Sequence, residues 1–98
     1  MASFDNSSGG NDMYRVADYP YPSLAAPLQI GSKVARNRFV MAPLCAMYAA
    51  PDGSVTDRMI DYYRARARGG VGIVIVEMTF TDDLGSRAFH AQLGAHLD

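Results

Sequence analysis

The hydrophobic pattern predicts two strands joined by a helix within residues 38–77. An apolar run at residues 38–45 predicts the first strand, and residues 71–77 predict the second. The second run holds five β-branched side chains without polar alternation, which is typical of a parallel strand covered on both faces. The sequence therefore predicts a βαβ unit whose second strand needs neighbours on both sides.

The segment between these strands predicts a helix with defined ends. An Asp52-Gly53 turn precedes it, Thr56 is a suitable N-cap, and Gly69-Gly70 provides the C-terminal break. Apolar side chains recur at spacings of three and four, which gives one stripe for packing on the sheet. This stripe consists of Met59, Ile60, Tyr63 and Ala67. The arginines of the segment indicate an anion site or, as the favoured interpretation, a solvated helix face. They are Arg58, Arg64, Arg66 and Arg68.

The chain before the first strand predicts little regular structure. Residues 1–13 hold few large apolar groups and predict a flexible lead-in. Residues 14–27 are rich in tyrosine and proline, which predicts an extended arm without helix.

A hairpin is predicted after the extended arm. Residues 28–30 and 33–35 flank Gly31-Ser32, which fits a tight turn between two short strands.

From residue 79 onward the pattern predicts loop, with no third strand. His90 and His96 fall in this loop and are either acid–base groups or, as the favoured interpretation, surface histidines.

Composition narrows the classes of function. The chain is 49% hydrophobic and 19% charged, which is ordinary for a soluble globular protein. A net charge of −1 gives no field that would attract nucleic acid or a membrane surface. No stretch approaches the roughly 20 apolar residues of a membrane span. Cys45 is the only cysteine, which excludes an internal disulfide and fits a cytoplasmic location.

Candidate chemistry lies at the carboxyl ends of the two strands, because loops leaving those ends form the active sites of parallel α/β barrels. After the first strand, small Ala42 and donor-free Pro43 would let a flat ligand approach the backbone. Cys45 is either an inert buried hydrophobe or a thiol that faces the ligand. After the second strand, Glu77 is either catalytic or a structural acceptor for loop amides.

These residues together resemble the old yellow enzyme family of flavin mononucleotide (FMN)-dependent ene-reductases. The resemblance runs from Leu28 to the end of the chain and rests on several short matches in combination. The matches are Leu28, Ile30-Gly31, Asn37-Arg38, Val40 to Cys45, Asp52-Gly53, Tyr62-Tyr63, Arg66-Ala67, Gly69 to Gly72 and Glu77, with fainter ones at Gly85 and Leu93-Gly94. It implies an α/β fold: the first two βα units of a (β/α)8 TIM barrel, incomplete here and preceded by an N-terminal hairpin. Residues 14–98 would then be the N-terminal part of an FMN-binding barrel domain.

The resemblance also implies cofactors and site residues. FMN would be the bound cofactor, with NADH or NADPH as the reductant. The residues implied to contact FMN are Ala42, Pro43, Leu44, Cys45 and Met78. Cys45 would tune the redox potential of the flavin, and Tyr48 resembles a substrate-pocket tyrosine displaced by one residue. The resemblance implies no metal site and no catalytic residue here, because the family's acid and its carbonyl-binding pair lie in later strands.

The implied function is that of the N-terminal portion of an oxidoreductase that reduces activated C=C bonds with NAD(P)H. Its substrates would be small molecules such as enones, enoates or enoyl thioesters, and the full-length enzyme could be a homo-oligomer. A complete barrel takes about 250 residues, so these 98 residues are expected neither to fold stably nor to catalyse alone. The alternative is a short, non-catalytic βαβ protein that self-associates to cover its second strand.

Overall fold

The computed structural model describes residues 20–82 and 84–95, and the chain divides into two compact units between Phe39 and Val40. The predicted lead-in, residues 1–13, lies outside the described residues. Within the described ranges, no helix is long and apolar enough to cross a membrane. Each unit is described by itself.

The first unit contains helix α1 (Pro22–Ala25) and strands β1 (Leu28–Ile30) and β2 (Lys33–Ala35). The two strands pair antiparallel, with Ile30 opposite Lys33 next to the turn. Gly31 has a φ of +56°, which a tight hairpin turn requires and which glycine adopts without steric cost. The predicted hairpin is therefore confirmed.

Helix α1 shows that the prediction of an extended arm without helix was wrong at Pro22–Ala25. Proline is tolerated in the first turn of a helix, because its missing N–H would have no partner there and its fixed φ already suits the helix. The Ala26 N–H donates to the Pro22 carbonyl at 3.0 Å. Ala26 itself is extended, as expected of a residue that precedes proline, and the helix ends there.

The second unit contains a parallel pair of strands, β3 (Val40–Met41) and β4 (Ile73–Val74). One further bond, from the Ile75 N–H to the Met41 carbonyl at 3.1 Å, extends the ladder. Both strands are shorter than the predicted 38–45 and 71–77. Pro43 has no N–H to give to a ladder, and in the described residues β4 pairs with β3 alone.

Helix α2 (Asp57–Arg68) connects β3 to β4 and has the predicted ends. The Thr56 hydroxyl accepts the Met59 N–H at 3.2 Å, and Gly69 is the C-cap. The four residues of the predicted stripe, Met59, Ile60, Tyr63 and Ala67, line an open apolar groove of about 540 Å³. β4 and Leu93 form other parts of the groove wall. The helix is thus confirmed, but of its apolar stripe only Met59 is buried, and the stripe lines an open groove.

Two further strands, β5 (Thr79–Phe80) and β6 (Leu93–Gly94), pair in parallel. The prediction of loop alone after residue 79 was therefore wrong. Strands of two residues are too short to show a hydrophobic period in the sequence. The pair also depends on contacts from a loop that is distant in the sequence. The Gly94 N–H donates to the Gly53 carbonyl at 2.9 Å, and Phe80 is only 1% exposed.

Candidate functional site

The loop that leaves β3 exposes backbone and apolar surface. Ala42 and Pro43 are exposed, and Leu44 is 64% exposed. Met78, which follows β4, is also exposed. No charged residue occurs in residues 42–50. The strand ends therefore present a surface suited to a flat, largely uncharged ring system.

Cys45 and Glu77 follow β3 and β4, the two strands of the parallel pair. Burial raises the pKa of the half-buried Cys45 thiol, and the negative charge of Glu77 raises this pKa further. The Met47 N–H is directed at the sulfur and acts in the opposite sense. Met47 has a φ of +57°, an uncommon value for a residue other than glycine. With its pKa raised, Cys45 is a neutral thiol at neutral pH and a poor nucleophile.

Glu77 is 3% exposed and is bound to helix α2. The Tyr63 hydroxyl donates to Oε1 of Glu77 at 3.2 Å and accepts the Glu77 backbone N–H at 2.8 Å. The expected loop-amide partners are therefore replaced by a tyrosine from the helix, which reaches the strand end because the helix packs on β4. Burial, followed by the charge of Glu77, raises the pKa of Tyr63, although the Glu77 N–H opposes this shift.

Oε2 of Glu77 is enclosed and has no hydrogen-bond partner among the described residues. Buried carboxylate oxygens are nearly always hydrogen-bonded, because desolvating an unpaired one is costly. Oε2 of Glu77 therefore lacks the hydrogen-bond donor that a buried carboxylate oxygen normally has.

Tyr48 lies against helix α2. Its ring meets that of Tyr62 edge to face, with centroids 5.5 Å apart, and the Arg58 guanidinium lies 4.0 Å from its centroid. The Tyr48 carbonyl accepts the Thr56 hydroxyl in a short hydrogen bond. The Tyr48 ring is thus held against helix α2 by Tyr62 and Arg58. The substrate contact implied for Tyr48 stays a prediction.

Three of the four helix arginines, Arg58, Arg64 and Arg66, have local partners. Arg66 lies 3.7 Å from the centroid of the Tyr62 ring, and Arg64 forms an ion pair with Asp61 at 2.5 Å. Arg58 stacks on Tyr48. These contacts favour the interpretation of a solvated helix face over an anion site.

Sequence reasoning missed a group of residues that fixes the second loop. The fully buried Gln92 accepts the N–H groups of Ala88 and Phe89 at 2.8 and 3.2 Å. Arg87 donates to the carbonyls of Phe89, Pro51 and His90. A lone glutamine or arginine in a predicted loop carries no signal for such a role. The contact from Arg87 to Pro51 attaches this loop to the loop that follows β3.

The histidines add no further candidate chemistry. His90 is exposed, in line with its prediction, and His96 lies outside the described residues. Within residues 20–82 and 84–95, no group of three or more His, Cys, Asp or Glu side chains could hold a metal ion.

Comparison with known proteins places this geometry in a family. The sequence profile of the NADH:flavin oxidoreductase / NADH oxidase family matches residues 23–98. The chain belongs to this family. The NADH oxidase of Thermoanaerobacter brockii is 52% identical over 62 residues, which are 63% of this chain and 10% of that protein. The NADH:acrylate oxidoreductase of Vibrio harveyi is 49% identical over 70 residues, which are 71% of this chain and 7% of that protein.

A solved structure supports the same assignment to the NADH:flavin oxidoreductase family. The old yellow enzyme from Trypanosoma cruzi superposes with a TM-score of 0.69 and 35% sequence identity, over 80% of this chain and 20% of that one. The chain thus spans about a tenth or less of the two curated relatives and a fifth of the solved structure. The predicted resemblance and the predicted fold, an incomplete (β/α)8 barrel, are confirmed. The FMN contacts of Ala42, Pro43, Leu44, Cys45 and Met78 stay predictions.

Proposed function

We propose that this chain forms one side of the FMN site of an oxidoreductase that uses NADH or NADPH to reduce activated C=C bonds. The observation that supports this most is the exposed, uncharged segment from Ala42 to Leu44 at the end of β3. Membership of the flavin oxidoreductase family supports it as well. The Vibrio harveyi relative is named for acrylate, an alkene conjugated to a carboxylate.

The residues at the strand ends fit a flavin. Ala42 and Pro43 leave room for close approach to the backbone, while Leu44 and Met78 offer apolar surface to a ring. Cys45 would lie at the edge of the ring as a neutral thiol. The flavin, when bound, would supply the hydride chemistry; the chain's own residues position it and exclude water.

Binding of FMN by the full-length protein tests this proposal. Ala42→Phe puts a large ring where the flavin would approach the backbone, and we expect it to abolish the visible absorption of bound flavin. Ala65→Phe is the matched control, because Ala65 is exposed on helix α2 away from the strand ends. A purified protein that binds no FMN, or an Ala42→Phe variant that binds as well as the control, would contradict the proposal.

We further propose that the 98 residues alone neither fold stably nor catalyse, because the apolar groove beside α2 needs a cover. In the barrel, later βα units would cover this groove. In the alternative of a short self-associating protein, a second copy would cover it. Sedimentation of the 98-residue chain separates the two, since a folded, well-defined oligomer would support the alternative and an unfolded monomer would exclude it.

A further inference from the structure

We propose that Tyr63 is a positioning residue for the strand-end backbone at Met78, although it lies on helix α2. Its hydroxyl makes two hydrogen bonds to Glu77, the residue directly before Met78. The hydroxyl oxygen accepts the Glu77 backbone N–H at 2.8 Å, and the hydroxyl donates its proton to Oε1 of Glu77 at 3.2 Å. Tyr63 thereby holds both the main chain and the side chain of Glu77.

The main chain between β4 and β5 depends on side chains for its hydrogen bonds. β4 ends at Val74 and β5 begins at Thr79, and no backbone carbonyl of the described residues accepts the Glu77 N–H. The Glu77 carbonyl in turn accepts the Thr79 hydroxyl at 2.8 Å. A buried backbone N–H without a partner is costly, so the Tyr63 hydroxyl stabilises this course of the chain.

Met78 lies between two residues that are held in place. Glu77 is bound by the helix on one side, and Thr79 pairs with Leu93 in the β5–β6 ladder on the other. Glu77 is only 3% exposed, whereas the Met78 side chain is 47% exposed. The peptide groups that flank Met78 therefore have little freedom to rotate, and their direction depends on the bond from Tyr63 to Glu77.

The consequence for the flavin rests on the proposed function, in which Met78 contacts FMN. A backbone that is already ordered binds a ligand more tightly, because less conformational freedom is lost on binding. Tyr63 would therefore strengthen FMN binding and fix the backbone groups next to the ring without touching the flavin itself.

Amide hydrogen exchange tests the positioning without flavin. The full-length protein, stripped of flavin, is exchanged in heavy water, and the peptide that contains Glu77 and Met78 is followed by mass spectrometry. Tyr63→Phe keeps the ring but removes both hydrogen bonds, so we expect this peptide to exchange several times faster. Tyr62→Phe is the matched control, because it removes a hydroxyl from the preceding residue of the helix, which contacts Tyr48 and Tyr63 through its ring.

The location of the faster exchange separates positioning from general loosening of the protein. Peptides from the β1–β2 hairpin are the internal reference and should exchange at the same rate in wild type and in both tyrosine variants. Unchanged exchange at Glu77 and Met78 in folded Tyr63→Phe, or an equal increase in the hairpin, would overturn the proposal.

A second pair of variants leaves Tyr63 in place, so the proposal stays testable even if Tyr63→Phe does not fold. Glu77→Gln keeps an oxygen that accepts the Tyr63 proton, whereas Glu77→Leu removes it. We expect the peptide around Met78 to exchange at nearly the wild-type rate in Glu77→Gln and several times faster in Glu77→Leu. Equal rates in these two variants would overturn the proposal.

Binding of FMN connects the positioning to the proposed function. Tyr63→Phe should weaken FMN binding several-fold and shift the visible absorption band of the bound flavin, whereas Tyr62→Phe should do neither. Faster exchange with unchanged FMN binding and an unchanged spectrum would overturn the role of Tyr63 at the site. Failure of the wild type to bind FMN would contradict the proposed function alone and would leave the exchange result in force.

Discussion

The second unit has two sides of different construction. On the strand-end side, the loop after β3 is joined to the segment after β5 by two hydrogen bonds: the Gly94 N–H donates to the Gly53 carbonyl, and Arg87 donates to the Pro51 carbonyl. On the groove side, helix α2 and β4 leave apolar side chains open, with Ile60 43% exposed and Val76 51% exposed. Around Phe80 the first side is closed by its own residues, although Leu44 stays 64% exposed at the strand end, whereas the groove of the second side is open.

The two sides are stabilised by different interactions. Hydrogen bonds hold the strand-end loops, whereas the groove side depends on the burial of apolar side chains. Backbone carbonyls and N–H groups of the loops are paired with Arg87 and Gln92 over short range. The groove instead needs a partner surface, because exposed large apolar side chains forgo about 1.5 to 3 kcal/mol each relative to burial. The strand-end loops are therefore held by their own hydrogen bonds, whereas the groove side lacks the burial that its apolar side chains need.

The largest effect is expected at Phe80, the most buried aromatic side chain of the strand-end side. Phe80→Ala should lower the free energy of unfolding of the full-length protein by about 3 to 5 kcal/mol, since it leaves a cavity among the loops. Urea unfolding measures this. Phe89→Ala is the matched control, because Phe89 is 44% exposed and should lose much less. Equal losses for the two variants would contradict the idea that this side is closed.

An intermediate effect is expected at Gly53, where the loop after β3 touches β5. A Cβ placed there would lie 2.6 Å from Cζ of Phe80, and the φ of +90° is itself unfavourable for other residues. Gly70 has a similar φ of +107° but open space around it. Gly53→Ala should therefore cost about 1 to 3 kcal/mol more than Gly70→Ala, which is the usual cost of overpacking.

Urea unfolding of the two alanine variants provides the comparison. Strain from the positive φ is common to both, so the difference between them reports the contact with Phe80. If the two variants are equally stable, the loop after β3 is not packed on β5 as tightly as the structure has it.

Much of the fold could be predicted because its signals are local. The Gly31 turn, the Thr56 cap and helix α2 each depend on residues within a few positions of one another. Strands β5 and β6 could not be predicted, since they depend on the approach of Gly53 from a distant loop. Helix α1 was missed because the proline rule was applied without its exception for the first helical turn.

The candidate site was predictable in part. Cys45 and Glu77 were each singled out at a strand end, and the ends of parallel strands lie at one edge of a sheet. The partner of Glu77 could not be predicted, because Tyr63 was assigned to the apolar stripe of α2 by its spacing alone. A tyrosine on such a stripe carries a hydroxyl that needs a partner when buried, and here that partner is the strand-end carboxylate.

The smallest effect is expected at Thr56, which joins the strand-end side to the groove side. Its hydroxyl donates to the Tyr48 carbonyl and accepts the Met59 N–H at the start of α2. Thr56→Ala should cost about 1 kcal/mol, the usual cost of losing an N-cap, whereas Thr56→Ser keeps both bonds and should stay near wild type in urea unfolding. If serine proves as destabilising as alanine, the methyl packing of Thr56, and not its cap, connects the two sides.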